Sequence, residues 1–302
     1  MGKKIKKLHQ YQNGNYTVTI FDDGTKIREN DLDFFDAKFP ENIDIKITNY
    51  CNVGCTMCHE GSGLDGLHGD IMSYKFINTL RPGTELAIGG GMVTSHPDLV
   101  EFLCKLKNLD IIANITVNQV EYENNLDFVN LLVERKLVYG VGVSYHHNND
   151  EFWNMVSQNK NAVVHLINGI HGKDVFDYLS KFRLKALVLG YKYLRRGAQL
   201  YEVAGKAIEA NKAWLHDSLW EYVGLFEVFS FDNLAIKQLD PKRFLSDKQW
   251  SEFFMGSDGQ HTMYIDTVMN EFAQSSTNMH RTKIMDCIDD MFALVKAEAT
   301  TV

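Results

Sequence analysis

The sequence predicts an α/β protein built around a parallel sheet, and three observations carry that prediction. Strand-like apolar runs are followed by helix-compatible stretches six times over, with the six runs lying between residues 43 and 189. Strands interleaved with helices in this way pair in parallel, because each return to the sheet needs a crossover. The first run leads straight into a loop that holds three cysteines, at the strand end where such sheets place their active sites. No internal repeat interrupts the pattern.

Taken in order, residues 1–42 read as a small β extension. Asn13-Gly14 is a hairpin-turn dipeptide, Tyr16, Val18 and Ile20 alternate with threonines, and Asp22-Asp23-Gly24 offers a second turn. The extension is expected to pack against the edge of the main domain. Ile43, Ile45 and Ile47 then alternate with Asp44, Lys46 and Thr48, as in the first core strand. A short strand at 86–88 ends in Gly89-Gly90-Gly91, and after Ser95-His96-Pro97-Asp98 a helix begins with Leu99, Phe102, Leu103 and Leu106 on one face. Strands follow at 111–117, 138–144, 162–167 and 184–189, with helices expected at 126–135, 151–158 and 174–182. Beyond 189 the periodicity weakens. Residues 198–222 are helix-compatible, 225–231 and 263–265 could be strands, and 281–297 reads as an amphipathic helix with Ile284, Ile288, Met291, Leu294 and Val295 on one side.

The chain has 302 residues, 45% hydrophobic and 12% aromatic, enough for one large domain or one domain with a small appendage. Thirty-one Lys and Arg against thirty-nine Asp and Glu give a formal charge of −8. That balance argues against a broad nucleic-acid face, although a local basic groove stays open, and no nucleic-acid partner is expected. Lys3-Lys4-Ile5-Lys6-Lys7 is the only basic concentration and reads as a solvated tail. No signal-peptide pattern follows it, and no apolar run is long enough to span a membrane, so a cytoplasmic protein is expected.

Three of the five cysteines, Cys51, Cys55 and Cys58, fall within eight residues as C-x3-C-x2-C. Thiolates this close are ligands first. A 4Fe–4S cluster held by three of them would leave one iron open to a small molecule. The competing readings are a structural zinc ion with His59 or His68 as fourth ligand, and a disulfide. Structural zinc usually takes ligands in two separated pairs, and Cys104 and Cys287 stand alone, so the cluster is favoured.

The spacing resembles the signature C-x3-C-x-Φ-C of the radical S-adenosylmethionine superfamily, with Met57 at the apolar Φ position. The resemblance implies a partial (β/α)6 barrel of radical SAM type with a C-terminal α+β cap. The barrel core would span residues 43–197, with 198–302 as the cap or substrate region. It also implies S-adenosylmethionine chelated to the open iron and an external one-electron donor of flavodoxin or ferredoxin type. The chemistry would be reductive cleavage to a 5′-deoxyadenosyl radical that abstracts hydrogen from a substrate. Gly89, Gly90 and Gly91 lie where the family often has Gly-Gly-Glu and holds the methionyl amine, and here Gly91 replaces the acid. Asn118 and Ser144 match positions near the ribose or carboxylate, although a capping or turn role fits either equally. Ile167 and Gly169, in Ile167-Asn168-Gly169-Ile170-His171-Gly172, match the adenine-side segment. Relatives with auxiliary clusters carry further cysteines in the tail; only Cys287 lies there, on the expected last helix, so one cluster is expected.

His59 and Glu60 follow the third cysteine and, with Ser62, His68 and Asp70, form a polar loop at the barrel mouth that could orient substrate or stay solvated. His59-Glu60 does not continue as a zinc-protease motif. His146-His147 could serve in acid–base contact or lie on the surface. Tyr264 and Asp266 alternate with Met263 and Ile265, so the polar pair is expected to face the cavity as catalytic residues, with Gln274-Ser275-Ser276-Thr277-Asn278 in the covering tail. A peptide or protein side chain is the first substrate expectation, and a nucleotide or small metabolite the second. A non-catalytic metal-binding module is the reading from a different class.

Overall fold

The computed structural model describes residues 5–32 and 34–299, so Lys3 and Lys4 of the basic run lie outside the described residues. A small antiparallel sheet comes first: β1 (Lys7–Asn13), β2 (Tyr16–Phe21) and β3 (Lys26–Glu29). Asn13 pairs with Tyr16 across a turn in which Gly14 has φ 60°, a conformation that favours glycine.

The large sheet has ten strands. β4 (Asn42–Thr48), β5 (Glu85–Gly90), β6 (Ile112–Asn118), β7 (Gly140–Ser144), β8 (Ala162–Ile167), β9 (Lys185–Leu189) and β10 (Val228–Phe231) lie side by side in chain order, all parallel. On the other side of β4 the sheet continues with β11 (Thr262–Asp266), also parallel, then β12 (Glu271–Ala273) and β13 (Thr282–Lys283), both antiparallel. The six expected core strands are thus β4 to β9, and the two weaker runs became the strands that flank them.

The helices are α1 (Leu99–Asn108), α2 (Gln119–Asn124), α3 (Leu126–Glu134), α4 (Asp150–Gln158), α5 (Lys173–Leu179), α6 (Arg196–Tyr222), α7 (Asn233–Leu239), α8 (Asp247–Phe253) and α9 (Ile288–Ala299). The crossover from β4 to β5 has no α-helix, only a 3₁₀ turn at Lys75–Thr79, because its first half is the cysteine loop and a glycine-rich stretch. The last helix starts later than its apolar periodicity suggests. The amide of Ile284 donates to the Asn270 carbonyl beside β13, Cys287 precedes the helix, and Leu294 is exposed.

Strand parity divides the sheet into two faces. Ile43, Ile45, Ile47, Leu86, Ile88, Val141, Val143, Val164 and Val188 are buried in the core that includes the helices. Residues at alternate positions line a cavity on the other face. The β2–β3 turn, residues 21–25, reaches under the N-terminal ends of β8 and β9: Lys185 Nζ donates to the Asp23 carbonyl at 3.0 Å and Asn161 Nδ2 to the Asp22 carbonyl at 3.1 Å. The small sheet therefore floors the cavity rather than packing on the domain's edge. Buried charges hold it there. Glu41 is fully buried, takes two hydrogen bonds from Arg28 at 2.8 and 3.0 Å, and accepts the Tyr16 hydroxyl at 2.5 Å. Lys26 pairs with Glu85 of β5 at 2.5 Å. Among the described residues no helix is long and apolar enough to cross a membrane.

Candidate active site

The cavity measures about 1140 Å³, and the cysteine loop forms its mouth at the C-terminal ends of the strands. Cys51, Cys55, Met57, Cys58, His59, Glu60 and Ser62 all contribute to its wall. The loop is tied back on itself: the Cys51 amide donates to the Gly63 carbonyl at 2.9 Å, and the Cys58 amide to the Cys55 carbonyl at 3.3 Å. Two arginines at the start of α6 hold it from the far side. Arg196 donates to the carbonyls of Cys55 (2.9 Å) and Ser62 (2.8 Å), and Arg195 to those of Glu60 (2.8 Å) and His59 (3.3 Å). Neither arginine was read as a site residue from the sequence, where the only signal is a basic pair opening a long helix.

All five cysteines are unpaired thiols. Burial pushes the Cys55 thiol up, and the neighbouring Cys58 and Cys51 push it further. A cysteine raised in this way becomes a thiolate most readily by ligating a positive centre, which a metal site supplies. Among the described residues no three His, Cys, Asp or Glu side chains converge on one ion. A single zinc ion would need every sulfur about 2.3 Å away, whereas a cluster gives each thiolate its own iron. The histidines considered for zinc are engaged elsewhere: His68 is exposed and packs against His96 and Tyr50, while His59 turns to Glu60 and Lys192. Ser62 Oγ is buried without a partner, polar capacity that a bound group could satisfy. The donor set fits a cluster.

The three glycines differ from one another. A Cβ on Gly89 would meet nothing closer than Thr116 Cβ at 4.0 Å, so this position leaves the cavity wall bare. Gly90 has φ 125°, and its Cβ would come within 2.3 Å of the Thr48 carbonyl oxygen. A Cβ on Gly91 would lie 2.1 Å from the Tyr50 carbonyl oxygen. Those two glycines let β5 pass against the chain entering the cysteine loop, where the Gly91 amide donates to Thr48 at 2.7 Å and the Met92 amide to Tyr50 at 2.6 Å.

Asn118 caps α2: its Oδ1 accepts the Val120 amide at 2.9 Å, and Glu121 returns the favour to the Asn118 amide. Its Nδ2 is 3.8 Å from Cys55 Sγ, so capping and contact with the cysteine loop coexist. Ser144 pairs with Asn118 in register and, with Ile167, lines the cavity. Gly169 lies apart from them. With φ 86° it turns the chain against α6, where a Cβ would be 2.8 Å from Ile208 Cγ2. His68, Asp70, His146 and His147 are also outside the cavity wall and exposed.

Lys46 organises the polar residues beneath the loop. Its side chain is only 2% exposed, and Nζ is 2.8 Å from both Glu60 Oε2 and Asp266 Oδ2. Asp266 also accepts the Val268 and Met269 amides at 3.0 Å. Burial works to raise the Glu60 carboxyl, but the His59 contact and the Lys46 ammonium outweigh it and hold Glu60 below the usual carboxylate range. Burial, reinforced by Lys192, lowers the His59 imidazole. Tyr264 donates to Glu60 Oε1 at 3.4 Å, and burial raises its phenol, as do the charges of Glu60 and Asp266. His59, Glu60, Tyr264 and Asp266 are thus brought together.

Two residues deeper in the cavity carry chemistry that the sequence reading did not assign. Asp44 is open to the cavity but walled in by protein; burial, with Asp258 and Asp232 nearby and Lys192 opposing, pushes its carboxyl up to about 6. His165 lies across the bare backbone of Gly142, and burial, then the Lys192 charge, hold its ring down to about 4. A charged or titratable residue at the cavity parity of a buried strand was the available signal.

The architecture is an α/β fold on a large, mainly parallel sheet. Structures of SuiB from Streptococcus suis are among its solved likenesses. SuiB bound to S-adenosylmethionine matches with a TM-score of 0.59 and 13% identity over 88% of this chain and 67% of SuiB. SuiB bound to the precursor peptide SuiA matches with a TM-score of 0.61 and 14% identity over 88% and 68%. At such identity the likeness is one of fold. No protein-family model and no curated protein sequence matches the chain.

Proposed function

We propose that this chain is a radical S-adenosylmethionine enzyme that holds one 4Fe–4S cluster through Cys51, Cys55 and Cys58 and acts on a peptide or protein side chain. The observation that carries the reading is three thiols on one loop, at the C-terminal end of a parallel strand and at the mouth of a cavity of about 1140 Å³. The fold shared with a protein seen bound to S-adenosylmethionine and to a precursor peptide supports it. In this reading residues 43–197 form a partial (β/α)6 barrel, 1–42 its floor and 198–302 its cap. A flavodoxin- or ferredoxin-like protein supplies the electron in a reducing cytoplasm.

When bound, the cluster and S-adenosylmethionine would supply a 5′-deoxyadenosyl radical that takes hydrogen from the substrate. The chain's own part is positional. Arg195 and Arg196 fix the loop carbonyls, Gly89 leaves room at the wall, and Met57, Asn118, Ser144 and Ile167 border the cofactor space. The cavity exceeds the roughly 300–1,000 Å³ of an ordinary small-molecule pocket, which leaves space for a substrate segment near Asp44 and His165. The covering tail and the floor keep water out.

Anaerobic reconstitution tests the reading: iron should saturate near four per chain, as one cubane requires, and reductant plus S-adenosylmethionine should yield 5′-deoxyadenosine. Stable metal with no cleavage would leave a metal-binding module instead. The glycines give a second test. Gly89→Val should fold, keep the cluster and bind S-adenosylmethionine more weakly, while Gly90→Val should fail to fold because its Cβ meets backbone. Wild-type affinity of folded Gly89→Val, read by equilibrium binding, would remove this wall from the cofactor site.

A further inference from the structure

Three stretches far apart in the sequence meet on one ammonium group at the cavity mouth. Lys192, in the connection between β9 and α6, places Nζ 3.1 Å from His59 Nε2 on the cysteine loop and 2.9 Å from Ser276 Oγ in the C-terminal segment. Its backbone is pinned: a Cβ on Gly197 would lie 2.3 Å from the Lys192 carbonyl oxygen, so the first turn of α6 packs directly on it. Ser276 is held from its other side as well, its carbonyl accepting Arg281 Nη2 at 2.7 Å. Arg281 in turn lies 4.8 Å over the ring of Tyr264, and Tyr264 donates to Glu60. Ser275, Ser276 and Thr277 form part of the cavity wall. The other side-chain hydrogen bonds of residues 275–280 stay within the C-terminal segment: Ser275 with Thr277, Asn278 with Gln274, and the His280 amide with Asn278. Among the described residues, Lys192 provides the only hydrogen bond from this segment to the cysteine side of the mouth.

We propose that Lys192 is a positioning residue that clasps residues 275–281 to the cysteine loop, so that the C-terminal segment forms a lid whose seat is set by the loop it covers. The inference goes beyond the reaction proposed for the chain, because the contacts belong to the protein alone. Lys46 could not serve in this way, being neutralised by two carboxylates, whereas the direct partners of Lys192 are an imidazole and a hydroxyl. A hydroxyl partner leaves the bond easier to open than a carboxylate would, which suits a lid that must admit a substrate.

Hydrogen exchange on the full chain before any reconstitution tests this. In Lys192→Met the amides of 275–280 should exchange about tenfold faster than in the wild type, the size expected when one charge-assisted hydrogen bond is lost. Amides of β4 and β11 should keep their rates. Lys192→Arg retains charge and donors and should restore slow exchange, and Ser276→Ala should reproduce the acceleration with Lys192 intact. Ser276→Ala also carries the test if Lys192→Met does not fold. Wild-type rates at 275–280 in the Ser276→Ala protein, or acceleration spread evenly over the chain, would overturn the clasp. A chain that builds no cluster would still show the effect, so failure here and failure of the enzymatic reading are separable.

Discussion

Cys55→Ala is expected to lose both the broad visible absorbance of the reconstituted protein and all cleavage of S-adenosylmethionine. Cys51→Ala and Cys58→Ala should do the same, while Cys104→Ala and Cys287→Ala should keep both. The contrast follows from placement. Cys55 lies at the centre of the loop, its carbonyl held by Arg196 and its sulfur pushed upward in pKa by burial and the two flanking thiols. Cys104 is an exposed residue of α1, and Cys287 ends the connection that leads into α9. Two thiolates cannot hold a cluster that needs three protein ligands and one open iron, so the loss should be complete rather than partial. Full iron and sulfide content in purified Cys55→Ala would end the cluster assignment.

Lys46→Met is expected to destabilise the chain by about 3–5 kcal/mol at neutral pH, the usual result of removing one partner from a buried ion network. Glu60 and Asp266 would keep their burial and lose the ammonium that lies 2.8 Å from each. The pH dependence separates this cause from a packing defect. In the wild type the Glu60 carboxyl is held below its ordinary range, so its contribution is present at neutral pH and is lost only as the solution becomes strongly acidic. Without Lys46 burial is less opposed and the carboxyl shifts upward, so the variant should recover stability as pH falls toward 5. Chemical denaturation between pH 5 and 8 would measure it; a deficit constant across that range would point to packing instead.

The parts legible in the sequence were local. The six core strands announce themselves because a residue every second position is apolar and faces the helices, as with Ile43, Ile45 and Ile47. The cysteine spacing is local for the same reason: its ligands share one loop. What stayed hidden depends on long-range pairing. Nothing near Lys46 shows that Asp266 will neutralise it, since β11 must first insert beside β4. Gly90 and Gly91 looked like a ligand cradle, but they serve the close passage of β5 by Thr48 and Tyr50, which only the fold reveals. Arg195, Arg196 and Lys192 escaped because a helix start rich in cations reads as ordinary solvated surface until the loop it grips is in place.

The position of β11 also imposes an order on biosynthesis. β4 is among the first strands to leave the ribosome, yet its neighbour on one side begins at Thr262, and the Lys46–Asp266 bond spans 220 positions. Until that stretch has been translated, β4 presents an unpaired edge with the cysteine loop attached, and Lys46 and Glu60 lack their third partner. Edges of this kind recruit other strands, so the chain stays open to aggregation until β11 is in place. The residues from Thr262 onward therefore decide whether β4 and the cysteine loop that follows it reach their folded arrangement.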